Sequence, residues 1–311
     1  MTTHRTDHRP AGRSMPLVLA AILVLLPFTT GCDSPLPQES VPEPVLEGTT
    51  APSPFSALVA VPPAAGTTLL TRHTFSSLTE DGWVVRLLGA ANYSVKPYSG
   101  ITMGAWRLPA PLAGTPGVGV MRFPEGMASG SGPASTIRLL PTRPKVLDLR
   151  FDLAHSPNWY GNTSGISKIM FVFIAGKPMA YPTSFGQAMN NLYFRLITQN
   201  MGAGHDATTS SSASYGGYAA GTAALIPRGK WRQIRLLLVA NTPGKRDGQA
   251  HGWIDGVQIF SNKAVGWCGS TVSVAACGFD AIRYNPTYGG SGGPVPATQY
   301  MYLAGLEAYG R

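Results

Sequence analysis

The sequence predicts an all-β fold in which two antiparallel sheets pack face to face as a sandwich. Composition and one pattern predict it. The 311 residues include 37 Gly and 27 Pro and are only 13% charged, against 44% hydrophobic. So many turn-formers among so few charges fit short strands joined by tight turns better than helices. The pattern is alternation. In Val146–Leu153, Leu147, Leu149, Phe151 and Leu153 share one face, with Asp148, Arg150 and Asp152 on the other. That is the period of a strand with one side on a core. No long stretch has the 3.6-residue period of an amphipathic helix. The length permits two domains, but large β-sandwiches often use more than 200 residues for a single core, and one core is expected.

In chain order, residues 1–14 are polar and basic, and Met15–Phe28 is an apolar run followed by Thr29-Thr30-Gly31-Cys32. A basic start, a short apolar stretch and small residues before the cleavage point read as a secretory leader over 1–31, too short to span a membrane. The ending resembles a bacterial lipobox, with Thr29 where Leu is usual. The resemblance implies lipidation at Cys32, hence a membrane partner reached through a lipid anchor and an extracytoplasmic location, periplasmic or cell-surface. With Cys32 acylated, Cys268 and Cys277 remain as an even pair in an oxidising compartment, so a disulfide between them is expected. The segment between them is small and flexible, and no His lies near either thiol to suggest zinc. Residues 32–65 are dense in Pro, Ser and Glu and read as a solvated tether, leaving 66–311 as the folded domain.

Within that domain, strands are expected at Trp83–Leu88, Val118–Phe123, Val146–Leu153, Lys168–Ile174, Asn191–Gln199, Trp231–Val239, Ala250–Ile254, Phe279–Tyr284 and Gln299–Ala308. Asn241-Thr242-Pro243-Gly244 and Asp247-Gly248 supply turns. Asp255-Gly256 supplies a tight hairpin into a further strand. Residues 202–221 are Gly/Ser-rich without the Lys-Ser/Thr of a phosphate loop, and read as a mobile loop over a groove, in which His205 and Asp206 either act or are simply solvated.

Gly229-Lys230-Trp231-Arg232-Gln233-Ile234-Arg235, continuing through Asn241–Gly244, Asp247-Gly248 and His251-Gly252-Trp253-Ile254-Asp255-Gly256-Val257, resembles a hairpin of concanavalin-A-like jelly rolls. It is similar in particular to alginate-lyase-like and glucuronan-lyase-like polysaccharide lyases. Phe75-Ser76-Ser77 with Gly82-Trp83, then Arg150-Phe151 through Ser156-Pro157-Asn158-Trp159 to Ser167-Lys168-Ile169, and finally Phe279–Arg283 through Tyr300-Met301-Tyr302 fit the same family in order. The resemblance spans roughly residues 70–310. It implies a two-sheet jelly roll and, as chemistry, β-elimination on a polyuronate. In that reaction a cationic or amide group neutralises the uronate carboxylate, a base takes the C5 proton, and an acid, often Tyr, protonates the leaving oxygen.

A groove for this chemistry needs polar side chains at alternate positions. Tyr193 and Arg195 share a face, as do Gln233 and Arg235, and His251 and Trp253. Lys168 aligns with the family's Lys. Together these seven are expected to line one groove. Lys168, Tyr193, Arg195, Arg235 and His251 are the catalytic candidates, and Gln233 and Trp253 bind ligand, joined by Tyr288 from the loop Asn285–Gly290. Leu237 and Val239 continue the face of Gln233 and Arg235, which a fully polar groove would not do. The bland alternative makes Arg235 and His251 half-exposed surface groups and Trp253 part of the core.

The formal charge is +9, and removing residues 1–31 takes away +2 to leave about +7. A moderately basic surface suits an acidic polysaccharide. There is no Lys/Arg block or nucleic-acid motif, so nucleic acid is not an expected partner. The six His have no ligand spacing, and no metal or other cofactor is expected, although the fold leaves room for a structural calcium held by loop carbonyls and Asp side chains. Three readings stay open: a carbohydrate-binding lipoprotein without turnover, a polyuronate lyase, and a structural surface lipoprotein. The first leads.

Overall fold

The computed structural model describes residues 62–86, 92–186, 190–198 and 213–311. The leader, Cys32, the tether up to residue 61, and His205 and Asp206 lie outside the described residues. In chain order the first strands are β1 (Thr68–His73), β2 (Val84–Arg86), β3 (Tyr93–Pro97), β4 (Thr102–Met103), β5 (Trp106–Arg107), β6 (Gly117–Phe123), β7 (Ser135–Leu139) and β8 (Val146–His155). They continue with β9 (Ile166–Ile174), β10 (Lys177–Phe185), β11 (Tyr193–Thr198), β12 (Ala213–Gly216), β13 (Arg232–Val239), β14 (Gly248–Ile254), β15 (Val257–Val265), β16 (Phe279–Tyr288) and β17 (Gln299–Gly310).

The strands form two large antiparallel sheets and one small hairpin. The eight-stranded sheet runs β15-β14-β13-β8-β17-β6-β3, with β1 added to β17; the seven-stranded sheet runs β12-β11-β10-β9-β16-β7-β2. The twelve residues of β17 let it serve two partners on one edge: its first half pairs with β6 (Gln299↔Phe123) and its second with β1 (Thr68↔Gly310). One core joins the sheets. Leu147, Leu149, Phe151 and Leu153 of β8 and Ile234, Leu236 and Leu238 of β13 meet Ile169, Val172 and Ile174 of β9, Phe194 and Leu196 of β11, and Ile282 of β16. Alternation in the sequence therefore becomes one buried and one outward side per strand.

All nine expected strands form, with ends shifted by a few residues. The Asp255-Gly256 hairpin forms too, with φ of 49° and 81° at its two turn residues, the left-handed pair that a two-residue turn demands. In the Asn241 turn, the buried Asn241 amide donates to the carbonyls of Thr242, Lys245 and Cys268, and its oxygen accepts from the N–H groups of Trp267 and Cys268. The Asp247 carboxylate accepts from the N–H and hydroxyl of Thr242. The Cys268–Cys277 disulfide is present, with Cα atoms 5.9 Å apart. The chain joins the fold slightly before residue 66, because the Ala64 N–H already donates to Asp148 and the Pro62 carbonyl accepts from Arg150.

β10 runs against its own sequence. Pro178 and Pro182 argue against a central strand because each removes a ladder N–H. Yet β10 lies between β9 and β11, and its pairing with β9 shifts register between Pro178 and Ala180 and again between Ala180 and Thr183. Such irregularities let a sheet interior accept proline.

Candidate functional site

The expected single groove is two surfaces. Lys168, Tyr193 and Arg195 lie on β9 and β11 of the seven-stranded sheet; Gln233, Arg235, His251 and Trp253 lie on β13 and β14 of the eight-stranded sheet. Lys168 and Arg195 lie on the outward side of one sheet and the β13–β14 set on the outward side of the other, so the sandwich separates them; Tyr193 is partly buried and packs against the core. The sequence could not foresee this because alternation reports which side of a strand faces out, not which sheet the strand joins.

On the seven-stranded sheet a polar row crosses five strands. Thr287 of β16 pairs with Lys168, Lys168 with Thr183 of β10, Thr183 with Arg195, and Arg195 with Gly216 of β12. Lys168 and Arg195 are half-buried, two strands and so roughly 10 Å apart along the row. Tyr193 shares the outward side of β11 with Arg195, about 7 Å further along the strand. Burial lowers Lys168 below the usual lysine range, easing loss of its proton. The backbone beyond β12 leaves room for Arg195: a Cβ at Gly217 would sit 2.4 Å from its Nε. Gly217 also has φ of 73°, a region other residues seldom adopt.

Beyond this row the same face turns aromatic and aliphatic. Ile137, Arg283 and Phe171 align across β7, β16 and β9, and Leu139, Ala281 and Phe173 form the next row. The Lys168 ammonium lies 5.7 Å from the Phe171 ring centre, and the Arg283 guanidinium 4.9 Å from that of Phe173. Thr183, Thr287, Arg283 and the two Phe residues were not expected at the site. Alternation hid the Phe pair, because a period of two puts Phe171 and Phe173 opposite Lys168; Ile169 and Met170 are both buried, and that irregularity returns the rings to the lysine's side.

On the eight-stranded sheet the candidates are held by structural bonds. Arg235 donates Nε and Nη2 to the two oxygens of Asp148 at 3.0 and 2.8 Å, and its guanidinium lies 4.9 Å from the Trp253 ring centre. Asp148 is fully buried and also accepts from Arg150 and the Ala64 N–H. Burial pushes its carboxyl up, but the bonds from Arg150 and Arg235 outweigh that and hold it below the usual range. His251 is buried between Ser261 and Gln249, 2.9 Å from each, and burial and then Lys263 lower its pKa. Arg235, His251 and Trp253 thus form a packed cluster away from Lys168, and Leu237 and Val239 beside them have no bearing on the polar row. Tyr288 is also corrected: it is buried, and its hydroxyl donates to the Gly161 carbonyl at 2.6 Å.

His155 and Ser184 hydrogen-bond at 2.9 Å, but both are fully buried, and burial, then Arg228, pushes His155 down to about 3. A neutral histidine sealed against Trp159 packs the core. Among the described residues, no group of three or more His, Cys, Asp or Glu is placed to hold a metal ion.

Neither a protein-family profile nor a curated protein sequence matches the chain. Among solved structures, the fold is similar to that of an endo-β-1,4-glucuronan lyase from the fungus Trichoderma reesei, with a TM-score of 0.52 and 12% identity over 78% of this chain and 96% of that one. It is similar also to the marine PL-14 alginate lyase from Aplysia kurodai, with a TM-score of 0.51 and 12% identity over 78% of this chain and 100% of that one. At such identity the likeness concerns the fold. The chain is an all-β sandwich of two antiparallel sheets, a jelly-roll fold similar to that of these two polysaccharide lyases.

Proposed function

We propose that the outer face of the seven-stranded sheet binds an acidic polysaccharide and cleaves it as a polyuronate lyase, by β-elimination. The observation that carries this is the row Lys168–Thr183–Arg195 with Tyr193 beside it, two cations and a phenol on neighbouring strands of one face. In the proposed roles, Arg195 neutralises the uronate carboxylate and so acidifies the C5 proton, Lys168 takes that proton, and Tyr193 protonates the leaving glycosidic oxygen. The C5–H electrons form the new double bond as the C4–O bond breaks, so neither water nor an oxidant is consumed. The two similar folds belong to lyases of glucuronan and alginate, which supports the substrate class.

The test is incubation of the purified domain with glucuronan and alginate while following the ultraviolet absorbance of the unsaturated product. Absorbance that grows with wild type and is lost in Lys168→Ala and Tyr193→Phe supports the reading. Absence of product on every polyuronate tried contradicts it. One observation favours a second reading, binding without turnover: the polar row contains no carboxylate or imidazole to act as base. Retention on a polyuronate gel without product would establish that reading instead.

The leader and the lipobox-like Thr29-Thr30-Gly31-Cys32 support an extracytoplasmic site with a lipid anchor at Cys32. Incorporation of an alkyne-labelled fatty acid in a bacterial host, abolished by Cys32→Ser, is the expected outcome. Equal labelling of the variant would remove the anchor from the account.

A further inference from the structure

The opposite face of the sandwich holds a cavity that the polyuronate reading does not use. Its volume is about 430 Å³, within the range of small-molecule sites, and Arg72, Thr74, Ala113, Asp152, Gln233 and Glu307 are among its lining residues. It is a product of the fold. The pairing of β17 with β8 breaks register between Ala304 and Glu307, and Gly305, with φ of 55°, lies at that break. A Cβ on Gly305 would sit 2.3 Å from the Ala113 Cβ, so only glycine lets the Leu112–Thr115 loop close over this point. Bulges of this kind recur where a sheet makes room for a ligand.

Asp152 is fully buried in the wall of this cavity. Its Oδ2 accepts from the Ala113 N–H, while its Oδ1 has no hydrogen-bond partner among the described residues. A buried carboxyl oxygen left without a donor is costly, and a ligand that donates to it removes that cost. Gln233 pairs with Asp152 across the strands and adds an amide, both donor and acceptor. The charges around them are already matched: Arg72 pairs with Glu307 at 2.7 Å, and Arg150 with Asp148 at 3.0 Å. An ammonium ligand would meet these two guanidiniums, and a carboxylate ligand would meet Asp152 and Glu307. What suits one orphaned acceptor, an amide and compensated charges is a neutral ligand rich in hydroxyls.

We infer that this cavity is a second carbohydrate site, taking a neutral sugar unit whose hydroxyls donate to Asp152 Oδ1 and bond Gln233, on the face opposite the polyuronate row. The inference is independent of lyase activity, since it uses no residue of the Lys168 row.

The test is NMR titration of the isotope-labelled protein at neutral pH with the methyl glycosides of glucose, galactose and mannose, with sodium glucuronate as the acidic comparison. At least one neutral glycoside shifts the amide resonances of Asp152, Gln233 and Gly305 saturably, and glucuronate does so more weakly. Gln233→Ala, a partly exposed substitution that leaves the unfolding temperature unchanged, weakens that binding about tenfold. Asp152→Asn, which keeps the shape, weakens it as well. No shift of these resonances with any neutral glycoside overturns the inference. So does a preference for glucuronate, or affinity unchanged in both variants.

Discussion

Arg235 and Lys168 look alike in the sequence, each a cation at an outward strand position, and the structure puts them on opposite sheets. Arg235 is spent on Asp148 and on the Trp253 ring, in a cluster that pins the incoming chain at Ala64. Asp148→Ala strands two guanidiniums at a buried site and is expected to cost about 3–5 kcal/mol of stability by chemical denaturation. Asp152 makes a contrasting prediction. Burial pushes its carboxyl up to about 7 from 3.8, with Asp255 adding to the rise and the Ala113 and Leu112 N–H groups opposing it. Arg150 on its own strand and Arg72 and Glu307 from β1 and β17 face the same cavity. A carboxyl raised on folding contributes stability below its unfolded value and loses it as pH rises through the folded value. Asp152→Asn should therefore raise the melting temperature at pH 8, with the gain shrinking towards pH 5. A gain that grows in acid would contradict this assignment. Alternation made the outward side of Asp148, Arg150 and Asp152 legible; apart from the Arg150–Asp148 pair within β8, their bonds reach Ala64, Pro62, Ala113 and Arg235, far away in the chain, and were not.

At the scale of elements, the legible pieces are those whose chemistry is local. Asp255-Gly256 adopts its turn because glycine accepts a positive φ, and the Asn241 turn closes through bonds within a few residues and to the disulfide loop. Replacing Cys268 and Cys277 together by Ala is expected to lower stability by about 2–3 kcal/mol, the loop they close being short. An unchanged melting curve would show that the Asn241 network alone holds this corner. β10 is the opposite case. Its prolines oppose the strand locally, and only its neighbours impose it, β11 in continuous register and β9 with two register shifts. Thr183, the middle of the polar row, was hidden with it. Gly217→Ala tests the support of that row, since its Cβ must displace Arg195; polyuronate affinity should fall, and the positive φ should cost about 1 kcal/mol of stability as well.

At the scale of the whole molecule, the two-sheet sandwich follows from composition and alternation, whereas the placement of the candidates depends on strand order, a long-range property that no local pattern carries. β9 and β11 enter one sheet, β13 and β14 the other, and a seven-residue groove becomes a Lys168 face and a separate Arg235–Trp253 cluster. The central claim is that the first face alone acts on the polymer. Its most direct measurement compares unsaturated-product formation from glucuronan and alginate by Lys168→Ala and by His251→Ala, each verified as folded. Lys168→Ala is expected to lower the rate at least about a hundredfold, while His251→Ala stays within about threefold of wild type, because the proposed substrate face is the other one. A large loss in His251→Ala with Lys168→Ala still active would contradict it, placing the chemistry on the other side of the sandwich.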